Sequence, residues 1–132
     1  MSYKFNLKLL FATILLGLSA ISANAVTYTV TNTNDSGAGS LRDAVAAANG
    51  QTANDTINFN IPATDPNCFE GSCRITLTSG EIVIEATSAT GRLTITNAGG
   101  AKSLIISGNN AFRIFFIRMG DSEAVIDGVS IQ

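Results

Sequence analysis

The sequence predicts an all-β fold: a right-handed parallel β-helix, or solenoid, with a short capping α-helix near its N-terminus. Three observations carry this. Between Glu81 and Gln132 apolar triplets recur about every 11 residues, a periodicity that marks a chain coiling on itself. They are Ile82-Val83-Ile84, Leu93-Thr94-Ile95, Leu104-Ile105-Ile106, Phe115-Phe116-Ile117 and Ala124-Val125-Ile126. Gly- and Asn-rich corners separate the triplets, and a single segment, Ser40–Asn49, has helical periodicity instead. Every second triplet repeats at about 22 residues. The expected coil therefore has two columns, Ile84, Ile106 and Ile126 in one and Ile95 and Ile117 in the other.

The first 25 of the 132 residues read as an export leader. Lys4 and Lys8 form a positive start, Leu9 to Leu18 is an apolar run, and Ala23-Asn24-Ala25 is an A-x-A cleavage site. The apolar run is shorter than the roughly 20 residues a spanning helix needs, so no membrane span is expected in the mature chain. That chain should begin at Val26 and continue as a cap region, residues 26–74, followed by β-helix coils over residues 75–132. Losing Lys4 and Lys8 leaves six basic against ten acidic residues, a net charge of −4. An acidic domain without a basic cluster argues against nucleic acid or an anionic membrane surface as partner.

Val26 to Val30 alternates, with Val26, Tyr28 and Val30 on one face and Thr27 and Thr29 on the other, as in a half-buried strand. Thr31 to Gly39 is turn chemistry throughout. In Ser40–Asn49, Ser40 is the expected N-cap, and Asp43 three residues on is placed to complete a capping box. Asn49-Gly50 supplies a left-handed stop. Leu41, Ala44, Val45 and Ala48 share one helix face. The open end of a β-coil, with unpaired backbone and apolar interior, is what such a face would cover.

Asp55 to Ile61 alternates again, with Ile57, Phe59 and Ile61 inward. Residues 62–72 form a loop with both prolines, and Arg74 to Thr78 re-enters the sheet through Ile75 and Leu77. In an exported protein Cys68 and Cys73 most simply form a disulfide that staples this loop. Within the ladder the outer members of each triplet should point inward. The chain reaches Gln132 soon after Val129 and Ile131 without a polar cap, which leads us to expect further coils beyond it.

Two stretches, Thr29–Val45 (TVTNTNDSGAGSLRDAV) and Ile75–Ile82 (ITLTSGEI), carry a resemblance that extends to Leu93-Thr94-Ile95 and Ile106–Asn110. The chain resembles exported bacterial right-handed parallel β-helix proteins and is similar to the N-terminal region of their CSLREAI, or choice-of-anchor, group. It has Gly39 where that group's name has Cys. The resemblance implies the fold and a periplasmic, cell-surface or extracellular location. It does not imply an activity, because β-helices host enzymes, adhesins and spacers alike.

Three patterns are candidate sites. In a two-column coil Glu85 and Asp127 would share a column with Ser107 between them. Their separation of about 9–10 Å is the outer limit for an inverting carboxylate pair. The Asn34-Asp35-Ser36 oxygens could ligate calcium, although turn chemistry explains these residues better. The middle triplet residues Val83, Ile105 and Val125, with Phe116 in the second column, would form an outward apolar stripe, where a solvent-facing strand side should be polar. Such a stripe asks for a cover, from the chain or from a partner. Asn97, Asn109 and Asn110 read as corner residues tolerating left-handed geometry.

No catalytic, metal or cofactor-binding residue follows from the sequence, so no cofactor is expected. The function expected is a secreted or cell-surface β-helix module with a non-catalytic, structural or adhesin-like role. Its partners would be a surface glycan, a protein ligand or further coils of the chain. The alternative is the N-terminal part of a carbohydrate-active β-helix enzyme, lyase or glycoside hydrolase-like, with its site on other coils.

Overall fold

The computed structural model describes residues 24–86, 91–120 and 122–132. Apart from Asn24 and Ala25, the leader lies outside the described residues. The chain runs β1 (Thr27–Val30), α1 (Leu41–Asn49), β2 (Asp55–Phe59), β3 (Cys68–Phe69), β4 (Ser72–Thr76), β5 (Ile82–Ala86) and β6 (Leu93–Thr96). It continues through β7 (Ser103–Ser107), β8 (Phe115–Met119), β9 (Ala124–Asp127) and β10 (Ser130–Ile131).

These strands wind into a β-solenoid of about three turns. A first sheet has the order β1-β2-β6-β9, a second β3-β4-β7-β10, and a third β5-β8. Every pairing between turns is parallel, and the β3–β4 hairpin is the one antiparallel pair among the described residues. One turn is therefore β2, β4 and β5, the next is β6, β7 and β8, and β9 with β10 begins a third.

The coil has three strands, not the two expected. Ile84 pairs with Ile117, Ile95 with Ile57 and Ile126, and Ile106 with Ile75 and Ile131. The physical reason is that a uniform step of about 11 residues is in phase at two steps and at three alike. Only the bend at each corner decides which step closes the coil. The solenoid also starts earlier than residue 75, because β2 already pairs with β6.

The inward alternation is as expected. Ile57, Ile75, Leu77, Ile82, Ile84, Ile95, Leu104 and Ile106 are 0–2% exposed and fill the interior between the sheets. Phe115, Ile117, Ala124 and Ile126 point the same way but are only partly buried, since no further turn covers them in this structure.

The first turn is flanked by a different element on each sheet. β1 adds a parallel strand to the first sheet, and β3 folds back onto β4 in the second. In the third, α1 lies against β5 and buries Leu41, Val45 and Ala48. The Asn49 side chain then treats β5 as a neighbouring strand would. Its Nδ2 donates to the Val83 carbonyl (2.8 Å), and its Oδ1 accepts from the Glu85 amide (2.9 Å). This meets the edge-strand liability directly. Asn49→Ala is expected to cost about 1–3 kcal/mol, because two backbone groups of β5 lose a partner. The urea midpoint measures this, and an unchanged midpoint would mean that water replaces the amide at no cost.

Three local expectations changed. Ser40 caps α1 by accepting from the Asp43 amide (3.2 Å), but Asp43 does not return a bond, because the Ser40 N–H is taken by the Gly37 carbonyl. Gly50 ends the helix at φ −85°, in right-handed geometry, since Asn49 is held by β5. Asn109 and Asn110 are left-handed as expected, at φ 57° and 55°. Asn97 is not; its side chain spans its own corner to the Ala101 carbonyl (2.9 Å).

Candidate functional site

Three sheets give three outward faces, and the expected apolar stripe is divided among them. Val125 lies on the first, Ile105 on the second, and Val83 with Phe116 on the third. The cause is again the three-strand coil: triplets adjacent in a 22-residue column stand on different walls. The Glu85–Asp127 pair falls with it. Glu85 pairs in register with Arg118 on the third sheet, and Asp127 with Thr96 on the first.

The first face is hydroxyl-rich. Thr27, Thr56 and Thr94 stand side by side, ending at Val125, and Thr29, Asn58, Thr96 and Asp127 form the next rank. On the third face Val83 is beside Phe116 in register and carries the Asn49 contact. The Arg113 and Arg118 guanidinium carbons lie 4.7 and 5.8 Å from the centre of the Phe116 ring, within cation–π range. Both arginines are ion-paired, Arg113 with Glu81 and Arg118 with Glu85. The Phe116 end of the expected stripe is therefore lined by charged groups.

The second face holds the groove with the most distinctive composition. Cys68 and Cys73 are disulfide-bonded and directly opposed in register across β3 and β4, with Cα atoms 4.1 Å apart. The two residues between the strands, Glu70 and Gly71, have φ 50° and 83°, the paired positive values of a type I′ hairpin turn. Gly71 supplies one at no steric cost, and the staple holds Glu70 in the other. The hairpin thereby raises Phe69 to 78% exposure, the most exposed large apolar side chain among the described residues.

Below it lies a groove of about 590 Å³ lined by Phe69, Glu70, Asn67, Ser72, Arg74 and Ile105. Ile105 is its apolar floor, flanked in register by Arg74, whose Nη2 donates to Gln132 Oε1 (2.8 Å). The base of the loop is anchored by Asp65. Its carboxylate accepts from the Thr33 hydroxyl (2.5 Å) and amide (3.1 Å) and from the Asn67 amide (3.0 Å). Burial alone would raise the Asp65 pKa, but these bonds outweigh it and hold the carboxyl below its usual range.

Phe69 was missed as a site residue. A signal was present: Phe-Glu-Gly-Ser between two cysteines leaves room for a two-residue turn with an aromatic at its shoulder. The calcium idea at Asn34-Asp35-Ser36 loses its carboxylate. Asp35 is engaged by Arg42, Thr78 and Ser79. Among the described residues no helix is long and apolar enough to cross a membrane.

Fold and groove together define a parallel β-solenoid with a capped first turn and a disulfide-pinned hairpin on one wall. No protein-family model, curated protein or solved structure matches the chain.

Proposed function

We propose that this is an exported β-solenoid module with a non-catalytic, adhesin-like role, and that it contacts a surface glycan through the groove beneath Phe69. The carrying observation is that exposed ring. A single exposed apolar side chain is ordinary on a protein surface; what marks this one is its fixed place at the rim of a groove, where a ligand would cover it. The disulfide and the two-residue turn immobilise it beforehand, which cuts the ordering cost of binding. An aromatic face suits the apolar face of a sugar ring, and Glu70, Asn67, Ser72 and Arg74 offer donors and acceptors to its hydroxyls. The leader motif, the disulfide and the resemblance to exported β-helix proteins support the location.

The test is binding of the exported protein to an array of bacterial and host glycans, with Phe69→Ala beside it. The variant is expected to lose tenfold or more in affinity, as removal of a central aromatic contact does. Its stability should stay within about 0.5 kcal/mol of the parent, because the ring is exposed. Equal glycan binding by both proteins would remove the groove from the proposal. Binding to a protein ligand alone would replace the glycan.

A further inference from the structure

Asp55 is an anomaly that neither the groove nor the fold explains. It opens β2, and alternation places it on the same inward face as Ile57 and Phe59. It is 2% exposed. Its Oδ1 accepts from the backbone nitrogen of Val26 at 2.8 Å, whereas its Oδ2 is buried without a partner. A buried carboxylate oxygen left unbonded is costly, and structures rarely retain one without a reason. Val26 is held from its other side as well, because the Thr56 amide donates to its carbonyl (2.9 Å). The nitrogen of Val26 is thus fixed against Asp55 in register.

Val26 is also the residue that follows Ala23-Asn24-Ala25. We infer that Asp55 is the receptor for a free α-ammonium at Val26, created when a leader peptidase cuts the Ala25–Val26 bond. In that hydrolysis water adds its hydroxyl to the Ala25 carbonyl carbon and a proton to the Val26 nitrogen. The resulting amine takes a further proton from solvent. In the uncut chain the nitrogen has one N–H, enough for Oδ1 alone. The ammonium has three, which can serve both Oδ1 and the orphaned Oδ2 and bring a positive charge to the buried carboxylate. Cutting would therefore complete the first strand pairing, and the mature protein would be more firmly closed than its precursor.

The inference rests on the proposed export, and its test separates the two. The full chain is expressed in an exporting bacterium with Lys102→Arg, which leaves the Val26 α-amine as the single amine of a chain beginning there. Mass spectrometry should find Val26 at the N-terminus. The purified protein is then compared before and after acetylation of that amine. The free-amine form is expected to melt about 5 °C or more above the acetylated one. In Asp55→Asn the two forms should melt within about 1 °C of each other, on the same scale. Native acetylation should be about tenfold slower in the Asp55 protein than in the Asp55→Asn variant, since an ion-paired ammonium must first lose its proton.

Recovery of the chain with its leader attached would overturn export and the inference together. A Val26 N-terminus whose acetylation leaves the melting temperature unchanged would overturn the inference alone, as would a gap that persists in Asp55→Asn. Should Asp55→Asn fail to fold, the two forms of the Asp55 protein decide. The acetylation rate, compared in native buffer and in denaturant, provides the second reading.

Discussion

Ile95→Ala is expected to lower the unfolding free energy by about 3–4 kcal/mol, a large part of what a domain of this size possesses. Ile95 is fully buried and sits in the middle of a column, with Ile57 on the preceding turn and Ile126 on the following one. Removing three carbons there leaves a cavity that paired strands on both sides prevent from collapsing. Ile126→Ala removes the same atoms from a half-buried position and should cost about half as much. Urea unfolding measures both, with a shift in midpoint and an unchanged slope. Equal losses at the two positions would show that the third turn is packed as tightly as the second.

Arg42→Ala should follow at about 3 kcal/mol. Its guanidinium ties three parts of the chain together. Nε and Nη2 donate to the Asp35 carbonyl (3.1 Å) and carboxylate (2.8 Å), while Nη2 and Nη1 donate to the Gly80 and Glu81 carbonyls, each at 2.7 Å. Asp35 in turn accepts through Oδ2 from the Thr78 hydroxyl (3.0 Å) and the Ser79 amide (2.9 Å) and hydroxyl (2.5 Å). The variant leaves a mostly buried carboxylate without its charge partner and takes the Arg42 donor from three carbonyls, those of Asp35, Gly80 and Glu81. Arg42→Lys should recover little, because a single ammonium cannot reach four acceptors in a planar fork.

This network sets an acid limit. Burial alone would raise the Asp35 pKa, but the bonds from Ser79, Arg42 and Thr78 outweigh it and hold the carboxyl far below its usual range. A carboxyl depressed in the folded state contributes stability above its unfolded value of about 3.9, and the contribution is lost as pH falls further. The urea midpoint should therefore not fall on this account between about pH 5 and 8, and should fall below about pH 4. Asp65 adds in the same direction. In Asp35→Asn the acid fall should be shallower; an identical profile would assign the acid sensitivity to other carboxyls.

Much of the fold was legible because its causes are local. The alternation at β2 and β4 and the triplets of the ladder reveal which side chains point inward, since a strand's side-chain period is two wherever the strand lies. Ser40 announced the start of α1 by the chemistry of a single cap. The site was less legible. Phe69 reads as one apolar residue in a loop until the hairpin lifts it out. Asp55 stands in plain alternation with Ile57 and Phe59, yet nothing short of a three-dimensional partner says why a carboxylate belongs there.

The sequence by itself determined the β-rich class, the inward face of nearly every strand and the pairing of the two cysteines. The tertiary structure alone decided that the coil closes with three strands, that Asn49 stands in for a strand at β5, and that Val26 meets Asp55. The physical reason is one of range. Side-chain direction is set by neighbours one or two residues away, whereas closure depends on the accumulated bend of successive corners, and an 11-residue step is compatible with closing after two strands or after three. Which wall a residue occupies, and what it meets there, follows from that closure.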